Sequence, residues 1–548
     1  MREACVRVLC KPMSIAVNEG GETSRAGDDA RATTLDVSAE ELRELSRLFN
    51  DLTAAYIGEP EALPVFPDTS AERVAELFSR ELPREPVGIE ALARACGEVL
   101  RHSRQNGHPR MFGYVASPAA PAGAYATLLA SALNSNVTSW RSAPSATALE
   151  KSVVRWLAEM IGYASRGVND ACGGLLTSGG SMANLNALFV AHRSKAREYV
   201  KGEGAIEAAR DPSRTGLWDA GEPMTLYASD QVHLSIPKAA DVLGLGRDQL
   251  RVVPSDSGFR IDVRALREMI DADVARGLRP VWVVASAGPV STGAVDPLAE
   301  LARVARERSL WFHVDGAYGA LAASAETKRA LFGGLDEADS ISLDPHKWLY
   351  APLDCGCLIY REPRRAREAF AGTEEGYIKV FEQSEEEAHA FWDYGVELSR
   401  PFRALKVWAI LSYYGARRVS ASIAEDCALA EYMAERVEAS EEFQLLAPVT
   451  LGICCFRYVP ASLRRELEES DDDSARERLN ARLDELNARV MRRVQRGGEA
   501  YLSNAMLRGR FALRASVTNF RTTRRDIDLT LEAVRRAGND ERGMMNVE

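Results

Sequence analysis

The chain contains 548 residues, of which 46% are hydrophobic and 27% are charged. This composition is typical of a globular protein in water, and the length is enough for more than one hydrophobic core. The formal net charge of −11 argues against a general nucleic-acid-binding protein, which needs a basic surface. No apolar run reaches the roughly 18 residues that a membrane-spanning helix requires, so the sequence predicts no membrane association.

Nine cysteines are scattered along the chain without the spacing of a disulfide framework. Reduced thiols in the cytoplasm explain this usage, so we predict a cytoplasmic protein. Cys355 and Cys357 lie on one apolar segment, and Cys454 and Cys455 are adjacent on another. Because only seven histidines are present to complete a ligand set, we interpret these thiols as buried structural residues and predict no metal site.

The chain begins with a polar stretch, and we expect residues 1–36 to form a flexible leader. Residues 37–117 contain three segments with apolar residues at helical spacing, which predict a helical N-terminal segment. Glu41 stands three residues after Ser38, at the start of the first of these segments. This spacing is typical of a capping box, so we predict that the first helix begins directly after Ser38.

Between residues 118 and 405, short apolar runs alternate with amphipathic helical patterns. This alternation predicts an α/β fold with a mainly parallel sheet in a large domain. In "PVWVVASAGPVSTGAVDPLAELARVARERS" a strand leads through a turn into a helix, for which Asp296 is the expected N-cap. Residues 406–548 combine helical patterns with the strands "GICCFRYV" and "FALRASVTN", and we predict a smaller C-terminal α/β domain there.

Four features of chemical interest follow predicted strands, where ligands of parallel sheets bind. Lys347 stands in "SLDPHKWLY", and its amine is suited either to form a Schiff base with an aldehyde or simply to reach water from a strand end. Asp315 ends the run "LWFHVD". Its carboxylate is suited either to pair with a pyridinium nitrogen or to cap a helix.

The other two features are a glycine turn and a histidine. "TSGGSMAN" places Gly180 and Ser181 between a strand and a helix, where backbone N–H groups, a hydroxyl and the helix dipole can hold a phosphate. His233, in "SDQVHLSIPKAA", is able to stack on a flat ring. A simple turn and a capping histidine are the alternatives for each taken singly, but four such features after four strands favour a cofactor site.

The sequence resembles the pyridoxal-phosphate-dependent group II amino-acid decarboxylases, which include the aromatic-L-amino-acid and glutamate enzymes. The resemblance extends from about Ser38 to Arg514, and its most specific part is the D-x-A of "HVDGAYG" followed some thirty residues later by P-H-K-W. It implies the aminotransferase fold type I, with pyridoxal 5'-phosphate as cofactor. It also implies a homodimer with the site at the subunit interface. The matching segments are "HPRMFGYVASP", "TSWRSAPSATALE", "TSGGSMAN", "SDQVHLSIPKAA", "HVDGAYG", "DPHKWL", "GYIKVF" and "LSRPFRALKVW".

The resemblance implies cofactor-binding roles for individual residues. Lys347 is expected to bind the cofactor as a Schiff base, and Asp315 is expected to pair with the pyridine nitrogen. Ala317 and His233 are expected to lie on opposite faces of the ring. The residues expected to hold the phosphate are Gly180, Ser181 and His346.

The resemblance also implies roles toward the substrate. Tyr377, in "EEGYIKVF", is expected to donate the proton to Cα, and a tyrosine there favours decarboxylation over the oxidative deamination of related aldehyde synthases. Arg514, in "FALRAS", matches an arginine expected to meet the substrate carboxylate. We expect Phe112, Tyr114 and Trp140 to line an aromatic-friendly pocket. Arg141, beside Trp140, has two possible roles. It either favours a substrate with an acidic side chain or makes a structural ion pair.

The predicted function is therefore pyridoxal-phosphate-dependent α-decarboxylation of an L-amino acid to the amine and CO₂. One position departs from the family pattern, since Pro289 stands where a threonine is usual and supplies neither a hydroxyl nor a backbone N–H. The alternatives are a pyridoxal-phosphate-dependent aldehyde synthase, a carbon–carbon lyase and a catalytically silent binding protein of the same fold. The products formed from an amino acid distinguish these four functions.

Overall fold

The computed structural model describes residues 35–163, 173–202, 223–370, 384 and 387–545. Its N-terminal part consists of helices α1 (Ala39–Gly58), α2 (Ala71–Phe78) and α3 (Ile89–Arg101). The predicted capping box is confirmed, because Glu41 N donates to Ser38 Oγ at 3.2 Å and Ser38 N donates to Glu41 Oε2 at 2.8 Å. The first helix therefore begins where the local sequence signal placed it.

A seven-stranded sheet forms the centre of the large domain. Its strand order is β1-β7-β6-β5-β4-β2-β3, and β7 alone runs antiparallel to its neighbours in this sheet. The mainly parallel sheet predicted from the sequence is thus confirmed. The strands are β1 (Gly173–Thr177), β2 (Met224–Ser229), β3 (Leu250–Val253), β4 (Arg279–Ser286), β5 (Trp311–Asp315), β6 (Ser340–Leu343) and β7 (Gly356–Tyr360).

Helices connect these strands and bury an aliphatic core against the sheet. Each crossover between parallel neighbours needs such a helix, because parallel strands cannot be joined by a tight turn. The helices are α4 (Pro121–Leu133), α5 (Pro144–Met160), α6 (Gly180–Gly202), α7 (Ser235–Val242), α8 (Val263–Ala275), α9 (Leu298–Glu307), α10 (Pro345–Trp348) and α11 (Pro363–Phe370).

The predicted N-cap of α9 is wrong. The N-cap position is occupied by Pro297, and the carboxylate of Asp296 points elsewhere. Its Oδ1 accepts from Ile261 N at 2.8 Å and its Oδ2 accepts from Ser286 N at 2.7 Å. Asp296 therefore connects the end of β4 to the distant loop at Ile261. The two backbone N–H groups that it binds are buried and need a protein acceptor, whereas the N–H groups of an exposed helix start can bind water.

The C-terminal part contains a second, smaller sheet with its own core. Its four antiparallel strands have the order β10-β11-β9-β8. Long helix α13 runs from the large-domain core into this second core. The elements are α12 (Arg403–Tyr414), α13 (Ala416–Glu438), β8 (Phe443–Leu445), β9 (Ile453–Tyr458), α14 (Ala461–Glu469), α15 (Asp473–Gly497), β10 (Ser503–Leu507), β11 (Arg510–Ser516) and α16 (Arg524–Met545).

The register of the large sheet places three polar residues in one row at the carboxyl ends of its strands. Ser286 of β4 pairs with Asp315 of β5, and Asp315 pairs with Ser342 of β6. Such a row is the usual site of ligand binding in a parallel sheet. Within the described residues, no helix is long and apolar enough to cross a membrane.

Candidate active site

A cavity of about 410 Å³ opens at the carboxyl ends of the parallel strands. It brings together residues from the turn after β1, the loop after β2, and the ends of β4, β5 and β6. Its wall contains both apolar and polar side chains. The lining residues are Val115, Ser178, Gly179, Gly180, Ser181, Met182, Asn184, His233, Ser286, Gly288, Pro289, Val290, Asp315, Ala317, Tyr318, Asp344, His346 and Lys347.

Lys347 lies on this wall in the short helix α10, directly after β6. Its Nζ is 2.8 Å from Oδ2 of Asp344, whose side chain is only 2% exposed. The neighbouring Trp348 is fully buried, stacks on Tyr318 at 4.4 Å between ring centroids and donates from Nε1 to Asp426. The indole therefore anchors α10 in the core and holds the adjacent lysine at the cavity.

Asp315 is the last residue of β5 and is buried, yet it reaches the cavity. Its Oδ2 accepts from Asn184 Nδ2 at 2.9 Å. Its Oδ1 accepts from Ser342 Oγ and from Ala317 N, both at 3.2 Å. Three donors on three segments thus hold the carboxylate in one orientation. Its remaining lone pairs are able to accept a hydrogen bond from a protonated ring nitrogen.

The glycine turn after β1 forms a cradle that a side chain would fill. A Cβ placed on Gly180 would lie 2.8 Å from Ala317 Cβ and 3.1 Å from Asp344 Oδ2. The long helix α6 starts at Gly180, so its first N–H groups have no partner within the helix and its positive dipole end faces the cavity. Ser181 adds a hydroxyl to this wall. This combination is suited to a phosphate.

His346 lies next to the glycine turn, since a Cβ on Gly179 would be 3.4 Å from its Cε1. Its Nδ1 donates to the carbonyl of Cys355 at 2.6 Å, because a carbonyl can only accept. Burial lowers the pKa of His346, and its Nε2 is 3.6 Å from Asp344 Oδ2. The fixed ring is therefore a second polar group beside the cradle.

His233 lies in the loop after β2 and lines the cavity. Its Nδ1 is 2.8 Å from Ser235 Oγ and accepts from Ser235 N at 3.2 Å. The ring is otherwise exposed, so that a flat ligand would be able to cover it. The structure thus brings together all the residues that were predicted to bind a cofactor: Gly180, Ser181, His233, Asp315, Ala317, His346 and Lys347.

The residues predicted to meet the substrate are not on the cavity wall. The cavity lining includes Val115 but not Tyr114, and it does not include Trp140 or Arg514. Phe112 is also absent from the lining and is fully buried in the core of the small sheet. Tyr114 is half-exposed with a positive φ of 60°, and Arg104 lies over its ring at 4.9 Å. The backbone of Trp140 is bound to His389 O at 3.1 Å. A substrate-binding role for Tyr114, Trp140 and Arg514 stays a prediction.

Arg514 lies one layer behind the wall, on β11 of the small sheet. Its Nε donates to Val290 O at 2.5 Å, and its Nη1 donates to Tyr114 O at 2.8 Å and Ser503 Oγ at 3.1 Å. The guanidinium is buried, which lowers its pKa. In the described structure Arg514 therefore binds the backbone of two segments that carry cavity residues.

Pro289 occupies the cavity wall where the family pattern has a threonine. Its carbonyl accepts from Gly293 N at 2.9 Å, which closes a tight turn. Gly288 before it has a φ of +95°, and a Cβ there would be 3.0 Å from the ring of Tyr318. The turn is thus held by backbone geometry, and Pro289 presents an apolar ring to the cavity in place of a hydroxyl.

Tyr377, predicted as the proton donor, lies outside the described residues.

Two site residues were missed by the sequence reasoning, Asn184 and His313. Asn184 is one helical turn after Gly180 and therefore faces the same side of α6. His313 stands two residues before Asp315 on β5 and therefore points to the same face of the sheet. The spacing in "TSGGSMAN" and "HVD" therefore indicates that both side chains face the site. It does not indicate their partners, because the hydrogen bonds that they make connect different elements.

Comparison with known proteins identifies this arrangement. A family model described as "Pyridoxal-dependent decarboxylase conserved domain" matches residues 71–459. The aromatic-L-amino-acid decarboxylase of Bacillus atrophaeus is 32% identical over 490 residues, 89% of this chain and 94% of that protein. The phenylacetaldehyde synthase of Petunia hybrida is 27% identical over 512 residues, 93% of this chain and 96% of that protein. The solved structure of Oryza sativa TDC with PLP and tryptamine has a TM-score of 0.80 at 26% identity, covering 93% of this chain and 99% of that one.

The cofactor of these enzymes is pyridoxal phosphate, and the residues of the cavity fit it. An aldehyde needs an amine, which Lys347 offers. A protonated ring nitrogen needs a fixed carboxylate, which Asp315 offers. The phosphate needs a side-chain-free helix start, which Gly180 leaves open. Each chemical part of the cofactor therefore has a matching group on one cavity wall.

Proposed function

Since the chain belongs to the pyridoxal-dependent decarboxylase family of carboxy-lyases, we propose that it converts an L-amino acid to the corresponding amine and CO₂. The observation that carries this proposal is the convergence of Lys347, Asp315, His233 and the Gly180 turn on one cavity. Lys347 would supply the amine that attaches the cofactor. When bound, the cofactor supplies an electron sink for the electron pair released as CO₂ leaves.

The chain's own residues would keep that sink effective. Asp315 would accept a hydrogen bond from the protonated ring nitrogen, and its three donors prevent the carboxylate from turning away. His233 and Ala317 would confine the ring from its two faces. The N-terminus of α6 would neutralise part of the phosphate charge. These interactions would stabilise the transition state, in which negative charge develops, more than the ground state. Only such a difference raises the rate of the reaction.

Proton delivery completes the proposed reaction. Tyr377 is the proposed donor to Cα, on the strength of the segment "EEGYIKVF". After release from the cofactor, Lys347 would stay beside Asp344, whose Oδ2 lies 2.8 Å from its Nζ. Donation from Tyr377 would give the amine and leave a phenolate, which would take up one proton from solvent before the next cycle.

We propose an aromatic L-amino acid as the substrate class. The names of the relatives from Bacillus atrophaeus and Petunia hybrida, and the tryptamine in the Oryza sativa structure, support this class. The described cavity wall contains the apolar side chains of Val115, Met182 and Val290, and no arginine. An acidic side chain would need such a cation, because an unpaired buried carboxylate is costly.

An aldehyde synthase is the second candidate function, favoured by the similarity to the Petunia hybrida enzyme. Both reactions begin with loss of CO₂, so CO₂ release alone does not distinguish them. The test is incubation of the purified, cofactor-loaded protein with a panel of aromatic and acidic L-amino acids. Amine in equal amount to CO₂ supports the decarboxylase. Aldehyde with ammonia and peroxide supports the synthase, and a retro-aldol pair or no product contradicts both.

We also propose that the enzyme is a homodimer in the cytoplasm. Every cysteine in the described part of the chain is a free thiol, which agrees with a reducing compartment. Exposed apolar residues cluster on α4, where Leu128, Leu129 and Leu133 are each more than half exposed. A patch of this kind on a single chain is typical of a protein–protein interface.

A further inference from the structure

A buried chain of hydrogen bonds connects the indole of Trp311 to two groups of the cavity, Asp315 and His233. We call it the indole–carboxylate network. It begins at Trp311 Nε1, which donates to Ser340 Oγ at 2.9 Å, and Ser340 Oγ is 2.8 Å from Nδ1 of His313. The members of the network are Trp311, Ser340, His313, Asn184, Asp315, Ser235 and His233.

Asn184 is the branch point of the network. Its Oδ1 is 3.0 Å from His313 Nε2. Its Nδ2 is 2.9 Å from Asp315 Oδ2 on one side and 2.9 Å from Ser235 Oγ on the other. Ser235 Oγ is in turn 2.8 Å from Nδ1 of His233. One amide on α6 thus bridges the end of β5 and the loop after β2.

The interior of the network is closed to solvent. Ser340 and His313 are 0% exposed, Asn184 is 1% exposed and Ser235 is 4% exposed. Buried donors and acceptors have to find partners within the protein, since no bulk water replaces a missing bond. The direction of each hydrogen bond therefore follows from counting the donors and acceptors that each side chain offers.

The indole end fixes the first bond of the network and is compatible with one direction for the second. An indole N–H can only donate, so Ser340 Oγ accepts from Trp311. The Ser340 hydroxyl hydrogen is then able to point to Nδ1 of His313. With Nδ1 as an acceptor, a neutral His313 carries its proton on Nε2 and donates to Asn184 Oδ1. Burial keeps His313 neutral, because it lowers the pKa of this imidazole from 6.5 to about 4.

The carboxylate end requires the same direction independently. The NH₂ group of Asn184 faces Asp315 and donates to its Oδ2, because a carboxylate oxygen accepts. The amide oxygen of Asn184 then faces His313, whose Nε2 has to carry the proton. At the third end, the backbone N–H of Ser235 donates to Nδ1 of His233 at 3.2 Å. His233 is thereby left with its proton on Nε2.

We infer that Asn184 and His313 are positioning residues for the cofactor site, with His313 orienting the Asn184 amide so that it donates to both Asp315 and Ser235. The two residues act through Asp315 and His233 and not on the reacting atoms themselves. A flipped amide would place its oxygen 2.9 Å from the Asp315 carboxylate, where two acceptors repel. The network thus specifies one arrangement of the carboxylate against the cofactor ring.

The first test is the protonation state of the histidines in the cofactor-free protein. The chain has only seven histidines, so ¹⁵N labelling of histidine gives a spectrum that single substitutions of His233 and His313 can assign. The expected result is a proton on Nε2 and none on Nδ1 for both rings at neutral pH. A proton on Nδ1 of His313, or an imidazolium there, would overturn the proposal.

The second test compares two replacements of His313. His313→Gln keeps an N–H donor near the Nε2 position, whereas His313→Leu removes it. We expect the Kd for pyridoxal phosphate to rise about tenfold in His313→Leu, because the Asn184 amide is then no longer held in the orientation that donates to Asp315. In His313→Gln it should stay within about twofold. Equal Kd values for two folded variants would show that only packing is involved and would contradict the proposed role.

A third variant tests Asn184 directly. Asn184→Leu keeps the branching of the side chain and removes both donors, so we expect the Kd for pyridoxal phosphate to rise at least about tenfold. The control is Asn186→Leu, because Asn186 is also buried on α6 and its Oδ1 instead accepts from Val396 N at 3.4 Å. An unchanged Kd in a folded Asn184→Leu protein would overturn the proposal. If that variant does not fold, the measured tautomers and the comparison of His313→Gln with His313→Leu test the proposal.

This inference rests on the role proposed above for Asp315, but its first test does not. The tautomers are measured without cofactor and without substrate. A protein that shows the expected tautomers but releases no CO₂ would refute the proposed reaction and leave the network in place. A protein that releases CO₂ with the opposite tautomers would refute the network alone.

Discussion

Lys347 carries the only ammonium group on the described wall of the cavity, and this makes its substitution decisive. Lys347→Ala should lose the absorbance near ~420 nm of the bound cofactor and any cofactor fixed by borohydride, because no other described lining group offers an amine. Product formation should become undetectable. The measurement is the absorbance spectrum and the mass of the protein after borohydride treatment.

The control is Lys238→Ala, which removes an exposed lysine from the outer side of α7. It should keep the spectrum, the borohydride adduct and the activity of the unmodified protein. Borohydride-fixed cofactor in Lys347→Ala would assign the attachment to another lysine.

At the scale of single residues, the sequence predicted the groups that are recognised by their chemical type. Lys347 and Asp315 follow apolar strands, and Gly180 sits in a turn, so each could be assigned from its immediate neighbours. Asn184 and His313 could not be assigned in this way. Their role depends on bonds 129 and 131 residues apart in the chain, and no local pattern encodes which side chains meet across elements.

The start of helix α6 is the element whose geometry most directly shapes the cofactor site. Gly180→Ala would place a methyl group 2.8 Å from Ala317 Cβ and 3.1 Å from Asp344 Oδ2. Because the contact with Ala317 is shorter than van der Waals distance, either the turn or the side chains of Ala317 and Asp344 have to move, which changes the cradle. We expect the Kd for pyridoxal phosphate to rise about tenfold or more, as for a lost phosphate interaction of about 1.4 kcal/mol. Titration of the cofactor-free protein by absorbance measures it.

Gly97→Ala is the matched control for this substitution. Gly97 lies in the interior of α3, and a Cβ there meets no atom within 4 Å. An alanine in such a helix should stabilise the protein by about 0.5–1 kcal/mol and leave the Kd unchanged. Equal affinities of both variants for the cofactor would contradict the placement of the phosphate at Gly180.

At the scale of elements, strands and helix starts were predictable where the signal is local. The capping box at Ser38 is such a case, since its two bonds span three residues. Asp296 shows the opposite case, because its carboxylate binds Ile261 N, 35 residues away, and not the helix that follows. The antiparallel direction of β7 is a further case. An apolar run predicts a strand, but it does not predict the direction in which that strand runs relative to its neighbours.

The buried titratable groups give the whole molecule a pH dependence with two limbs. Burial lowers the pKa of four histidines from 6.5 to about 4: His108, His192, His313 and His389. Between these values the unfolded chain binds more protons than the folded one. The stability that these histidines contribute is therefore fully present above pH 6.5 and is lost as the pH falls toward about 4.

Two carboxyls act in the opposite sense. Burial raises the pKa of Asp296 and Asp426 from 3.8 to about 7. Their contribution is fully present below pH 3.8 and is lost as the pH rises through about 7. Burial also lowers the pKa of His346 and raises that of Asp339, which adds one group to each side. Five histidines therefore outweigh three carboxyls below pH 6.5, so we expect the Tm to rise from pH 4.5 to a maximum near pH 6.5 and to decline slightly above it.

Differential scanning calorimetry across this range measures both limbs. His192→Gln should make the acid limb shallower, and Asp426→Asn should remove part of the decline above pH 6.5. A Tm that is constant between pH 4.5 and 6.5 would contradict the assignment of these histidines as buried and neutral.

The exposed apolar face of α4 bears on assembly, the largest scale of the molecule. Leu128 is 60% exposed and Leu129 is 56% exposed, and the neighbouring helix α12 adds Tyr413 at 75%. Burial of two leucines contributes about 1.5–3 kcal/mol each, so replacing both by aspartate should remove much of the free energy of association and add repulsion between charges. We expect Leu128→Asp/Leu129→Asp to sediment as a monomer at concentrations where the unmodified protein is a dimer.

The control for the assembly test is Val242→Asp, which introduces a charge at a residue of α7 that is 74% exposed and outside the patch on α4. This variant should remain a dimer with full activity. Loss of activity that accompanies dissociation only in the double variant would indicate that the site needs the partner subunit. A double variant that remains a dimer would place the interface on another face, and an active monomer would show that one chain carries the whole site.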